Sequence, residues 1–280
     1  MGIAPAHHRV RRSRFVGACA VLAGALLAAA CGSNDTGAAA TERSTPAPVA
    51  GSELVGRWAH FDVVAYEDEL MKTLIISFGF TDFAEQDGRL IESEEFCHAD
   101  QASDQPIETS ISDAATQAIK PPSTPVEVTG EPGKLRVRRP GTPTPIGIRL
   151  DDPANDPLPS DPDDPRIVDD DKDGKPGITV NVKVGDGFEG DLYLARREIF
   201  AYDMTQDGAD SMVGTVTDSS EQLVIGTTNP VLASTSAQWT QYPDKSLSPI
   251  QLKRVGDDWD CDRLMEERDE LFPPNPTADW

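Results

Sequence analysis

Three aspartates at alternate positions, Asp169, Asp171 and Asp173, stand in "IVDDDKDGKPGITV" (Ile167 to Val180) and are followed at once by Gly174. Alternate residues of a tight turn point inward together. Only a hard cation with a preference for oxygen compensates for gathering three carboxylates there. On a calcium-loop template the aspartates take positions one, three and five. Gly174 supplies the sharp turn at six, and Lys175 offers its backbone carbonyl at seven. Position twelve, a bidentate Glu in an intact EF-hand, is Val180, and no helical pattern flanks the run. The missing ligands are therefore expected from outside the loop, with Asp161, Asp163 and Asp164 nearest. Pro162 and Pro165 restrict the shape of that stretch. The expectation is a structural Ca2+ bound in the roughly 10⁻⁴–10⁻³ M range of extracellular modules. The alternative is a solvated acidic loop.

Other chemistry is sparse. His60 and His98 are too few for a zinc site if Cys97 and Cys261 pair with each other. Glu92 and Glu94 share one face of a strand with Glu95 on the other, and the expectation is a solvated outer face. No G-x-S-x-G elbow and no phosphate-cradling Gly-rich loop occurs. The chain reads as non-enzymatic. A hydrolase using acidic residues would need two carboxylates about 5–9.5 Å apart across a cleft.

The elements around these residues follow a period of two. "WAHFDVVAY" reads as a strand, and "TLIISFGF" and "RLIESEEFCHA" read as a hairpin turning at Gln86-Asp87-Gly88. "VEVTGEPGKLRVRRP" is a second hairpin candidate, and "SDAATQAIK" a short helical turn. Residues 140–176, rich in Pro and Asp, read as one long loop. Strands resume with "GITVNVKV" and continue through "GDLYLARREIFAYDM", "SMVGTVT", "EQLVIGTT" and "SPIQLKRV". "DWDCDRLMEERDELF" reads as a short amphipathic helix stopped by Pro273 and Pro274. Eight or nine short strands imply an all-β domain over residues 54–272, an antiparallel β-barrel or sandwich with a short C-terminal helix and a tail at 273–280.

The N-terminus is a targeting segment. Arg9, Arg11, Arg12 and Arg14 precede the apolar run Phe15 to Ala30, an export signal over residues 1–30. Its removal takes four arginines and no acids, moving the net charge from −23 to −27. Such a chain repels nucleic acid and anionic lipid heads and attracts cations. Residues 31–53, small, polar and Pro-bearing, read as a flexible tether. In an exported protein the two cysteines beyond it, Cys97 and Cys261, most simply form a disulfide, with buried free thiols as the alternative. The bond would close a loop worth about 5 kcal/mol in the chain-entropy model.

"LAAAC" before Gly32 resembles the lipobox of bacterial lipoproteins. That resemblance implies a lipidated Cys31 and a membrane anchor, although Ala28 stands where Leu is commoner. A plain secretory signal cut near Ala30 is the alternative. Gly32 in place of an aspartate leans toward the outer membrane. The Asp loop is similar to the partial D-x-D-x-D-G loops of thrombospondin-type and dockerin-type calcium sites. "GRW" (Gly56-Arg57-Trp58) resembles the G-x-W of lipocalin-type barrels, which implies a stack of Trp58 on Arg254 near the end of the last strand. An ordinary core tryptophan is the alternative. The layout as a whole resembles a family of exported bacterial proteins and lipoproteins of myxobacterial type, with "GRW", "ESEEFC", "LPSDPDDPRIVDDDKDGKPGITV" and a late cysteine. That family implies architecture and location but no activity. The expected function is a lipid-anchored envelope protein whose barrel holds a small apolar ligand. The alternative is a surface module that binds an envelope protein.

Overall fold

The computed structural model describes residues 50–68, 71–185, 187–234 and 239–280. The expected signal (1–30), Cys31 and the tether up to residue 49 lie outside the described residues. The described part belongs to one compact unit, Ala47–Trp280.

Among the described residues thirteen strands form a single antiparallel sheet. In chain order they are β1 (Gly56–Glu67), β2 (Lys72–Gln86), β3 (Arg89–Ser103), β4 (Ile107–Ile111), β5 (Thr124–Pro125), β6 (Glu127–Thr129) and β7 (Arg136–Ile146). Then come β8 (Ile178–Val184), β9 (Phe188–Gln206), β10 (Ser211–Asp218), β11 (Glu221–Thr227), β12 (Thr240–Gln241) and β13 (Pro249–Arg254). A short helix α1 (Asp113–Ala118) follows β4, and α2 (Cys261–Leu271) follows β13. Neighbours run β4-β8-β9-β10-β13-β1-β2-β3-β5, with β7 and β11 also on β9. The sheet curls into a half-barrel. β3 and β4 face each other across its opening through side chains, where Thr109 Oγ1 donates to Gln101 Oε1. The architecture is all-β with a short C-terminal helix. Several strands are long rather than short, β9 reaching 19 residues.

Period-two patterning explains the layers. Even-numbered Trp58, Val64 and Tyr66 of β1 join the interior core with Phe83, Val137, Phe200, Tyr202 and Met204. Odd-numbered Ala59, Phe61, Val63 and Ala65 face outward, where Leu264 of α2 and Phe272 cover them. Both faces of β1 are therefore buried. The β2–β3 turn is Asp87-Gly88, both at positive φ (50° and 76°), as a two-residue hairpin matching the strand twist requires. Cys97 and Cys261 are joined, tying the start of α2 to the outer face of β3.

At one end of the half-barrel, Trp58 is fully buried and pairs in register with Arg254. The guanidinium carbon lies 4.2 Å from the indole centroid. Arg254 also donates to the carbonyls of Val55 (2.9 Å) and Glu53 (2.6 Å). The same end includes Gly51 and a 3-10 turn, Ser52–Leu54, so the residues just before 54 are folded rather than part of a tether.

The expected loop at 140–176 starts later. β7 continues through Pro140, Pro143 and Pro145 to Ile146 because that stretch is bonded on one side only, to β9. Prolines two residues apart leave both missing amides on the free edge. β7 and β8 lie end to end along the same side of β9: Ile146 pairs with Arg196, and Ile178 with Leu194. The intervening excursion leaves at Gly147 and returns at Gly177. These glycines have φ of 70° and 81°, and a Cβ on Gly147 would lie 2.8 Å from Gly177 Cα. The loop packs Ile148, Leu150, Leu158 and Ile167 over Tyr193, Ala195 and Ile225 on the outer face. The last residues, expected as a tail, are also packed: Ala278 is buried and Trp280 meets Tyr242 edge-on.

Candidate functional site

The half-barrel forms an open cavity of about 1310 Å³. That exceeds the roughly 300–1,000 Å³ of most small-molecule sites. It occupies the end of the barrel away from Trp58, from Asp62 along β1 to Asp68. Its walls are the inward aliphatics of β7, β8 and β9 (Ile146, Ile178, Val180, Val182, Leu192, Leu194) with Ile75, Phe96, Val224 and Trp239. Ile107 and Ile111 of β4 and Ile119 after α1 complete it, and the Ser112 side chain caps α1 at Ala115 N. β-branched and leucine side chains at alternate positions give a pleated surface that is apolar on its inner face.

The inner end of this cavity is charged. Along β9 the inward positions read Leu192, Leu194, Arg196, Glu198, Phe200, so two charges interrupt an apolar series. Arg196 donates to Gln222 Oε1 (3.0 Å) and to Tyr66 OH (3.4 Å). Its Nε lies 3.6 Å from Glu198 Oε2, and its Nη2 lies 4.0 Å from Asp218 Oδ2. Burial pushes the Glu198 carboxyl up to about 7; Arg196 opposes the rise, while Asp218 and Asp62 add to it. Burial alone would lower the Arg196 pKa, but Tyr66, Glu198 and Asp218 hold it above its ordinary value. Asp62 is buried and bonded to His60 Nε2 (2.9 Å), whose Nδ1 meets Thr81 Oγ1 (3.0 Å).

Behind Phe200 lies a second buried set. Arg139 donates to Glu92 Oε2 (2.9 Å) and to the Phe200 carbonyl (2.5 Å), and its Nη2 is 3.0 Å from Glu94 Oε2. The expectation of a solvated outer face for Glu92 and Glu94 is overturned: both point into the barrel, at 0% and 9% exposure. Burial, then the neighbouring Glu92, push Glu94 well above the usual carboxylate range, and burial raises Glu92 as well. Glu95, on the opposite face, pairs with Arg57.

The structure brings Asp169, Asp171 and Asp173 together. One oxygen of each lies within 4.8 Å of the others, the one such acidic, His or Cys group among the described residues. Asp169 accepts from the amides of Asp173 (3.1 Å) and Gly174 (2.9 Å). Asp173 accepts from Lys175 N (2.7 Å) and Thr179 Oγ1 (2.5 Å). Asp171 is 8% exposed; its Oδ2 accepts from Thr179 N (3.0 Å), while its Oδ1 is buried without a partner. Burial raises the Asp171 pKa. Asp161 and Asp164, expected as further ligands, stand apart from this group. Asp161 accepts from Asp163 N within its own turn (3.0 Å). Arg166 holds Asp164 from two sides and lowers it to about 2. Val180, at position twelve, turns into the cavity wall.

Sequence reasoning missed Arg196, Glu198 and Asp218, although the parity of "LYLARREIFAYDM" carries the signal for the first two. It also missed Thr179, which anchors two of the three aspartates. Among the described residues no helix is long and apolar enough to cross a membrane. No protein-family model, curated protein or solved structure matches the chain.

Proposed function

We propose that this chain is a non-enzymatic binding protein of the cell envelope, anchored through a lipid on Cys31, that holds a small apolar ligand inside its half-barrel. The observation that carries this reading is the cavity of about 1310 Å³ with aliphatic walls. An apolar concavity on this scale exposes surface that a ligand with an apolar body would cover, and that burial is favourable. The surface-module alternative draws less support, because the exposed large hydrophobics among the described residues are Val55 and Val231, not a continuous patch. The acid-hydrolase alternative loses its candidate pair, since Glu92 and Glu94 are adjacent on Arg139 instead of facing each other across a cleft.

The Asp169–Asp173 loop fits a structural calcium ion that fastens the excursion to β8. The orphaned, buried Asp171 Oδ1 supports that assignment, because a desolvated carboxylate oxygen without a donor is costly unless a cation meets it.

The ligand reading is tested with diphenylhexatriene, a dye that fluoresces in apolar surroundings. Saturable binding to the full chain, abolished by Val182→Trp or Leu194→Trp, supports it. Absence of binding in a folded chain would refute it.

A further inference from the structure

Acids outnumber bases at the inner end of the cavity. Asp62, Glu198 and Asp218 line it against Arg196 alone. The nearest other basic side chains are committed: His60 to Asp62 and Thr81, and Arg139 to Glu92 and Glu94. Arg196 is also engaged. Its Nη1 donates to Gln222 and its Nη2 to Tyr66, and its charge is already faced by Glu198 at 3.6 Å and Asp218 at 4.0 Å, which weakens its pull on an anionic guest. Glu198 is the reverse case. Among the described residues its carboxylate has the Arg196 ion pair at 3.6 Å and no hydrogen bond, while its side chain is 15% exposed toward the cavity.

We propose that the cavity selects an amphiphile with a cationic, hydrogen-donating head, an amine, which seats between Glu198, Asp62 and Asp218 with its chain along the aliphatic walls. The proposal rests on the ligand reading above and names its chemical class. An ammonium brings three donors and no acceptor. It supplies the charge that this end lacks and the donors that Glu198 lacks. A carboxylate or phosphate head would meet three acids in a low-dielectric enclosure, where like charges repel strongly. The high Glu198 pKa agrees with this picture, since a bound ammonium favours the ionised carboxylate that the empty site disfavours.

The test is displacement of diphenylhexatriene from the full chain by dodecylamine, dodecanol and dodecanoic acid at about pH 8, where the amine and acid are charged. The expected result is displacement by the amine at a concentration about tenfold or more below that of the acid, with the alcohol between. Glu198→Gln keeps the shape and should erase most of the preference for amine over alcohol. Arg196→Gln should leave amine binding intact or tighter. Acid binding as tight as amine, lost on Arg196→Gln, would overturn the head-group assignment and leave the apolar cavity standing. If the dye itself fails to bind, the ligand reading falls and the assignment falls with it.

Discussion

Arg254 sits over the Trp58 ring and, from the same guanidinium, ties down the carbonyls of Glu53 and Val55. One side chain thus joins the last strand, the first strand and the turn before it. Replacing Arg254 with Met removes the ring contact and both charge-assisted hydrogen bonds. The expected loss is about 2–3 kcal/mol, read as a lower urea midpoint at unchanged slope.

The Asp169–Asp173 loop should respond to chelation. Removing calcium should lower the melting temperature by a few degrees, as loss of a ligand that binds only the folded state requires. Asp171→Asn keeps an acceptor for Thr179 N, so it should fold and yet melt at one temperature with or without calcium. Identical melting of the unaltered chain in millimolar calcium and in chelator would sink the metal assignment.

Glu198 should make stability depend on pH. It holds its proton up to about pH 7 when folded and releases it near the ordinary value of 4.5 when unfolded. Between these values the folded state binds more protons. The stabilisation is full below about 4.5 and is lost as pH rises through 7, by at most about 3 kcal/mol. Urea titrations at several pH values should show that fall, and Glu198→Gln should flatten it.

The Arg139 set should be unforgiving of partial change. Arg139→Met strands Glu92 and Glu94 in the interior and is expected to cost about 3–5 kcal/mol. Replacing all three with apolar residues should restore much of that. Equal stabilities of the single and triple variants would show that the charges are not coupled.

The Cys97–Cys261 bond ties α2 to β3 and so holds Leu264 and Phe272 over the outer face of the sheet. Reduction is expected to cost about 2–5 kcal/mol and to release Leu264 and Phe272 from Phe61. Denaturation curves with and without reductant, together with hydrogen exchange in Ala59 to Ala65, measure both effects.

Local chemistry made part of this molecule legible in its sequence. Asp87-Gly88 dictates a hairpin through its backbone preferences alone, and Cys97 and Cys261, the two cysteines beyond residue 31, allow a single pairing. The Asp loop is equally local, and its three carboxylates come together as their spacing implies. What escaped depends on tertiary context. Pro140, Pro143 and Pro145 read as loop because a single sequence does not reveal which strand edge is free. Glu92 and Glu94 read as solvated because their partner, Arg139, lies on a strand far along the chain. The charged end of the cavity draws on β1, β9, β10 and β11, and only the break in alternation at Arg196 and Glu198 announces it. Proximity in sequence suggests grouping Asp161 and Asp164 with the aspartate loop, whereas Arg166 offers Asp164 a nearer partner.

The contact of Gly147 with Gly177 makes β7 and β8 one interrupted strand. Everything from Ile148 to Pro176 is then a detour that ends where it began. The sheet's register is blind to how long the detour is, so this segment can grow, shrink or change composition without disturbing the cavity wall behind it. What it must keep is its grip, because Tyr193, Ala195 and Ile225 lie bare beneath it. The aspartate loop at its returning end is placed as a clasp on that cover, on the side of the sheet opposite the cavity.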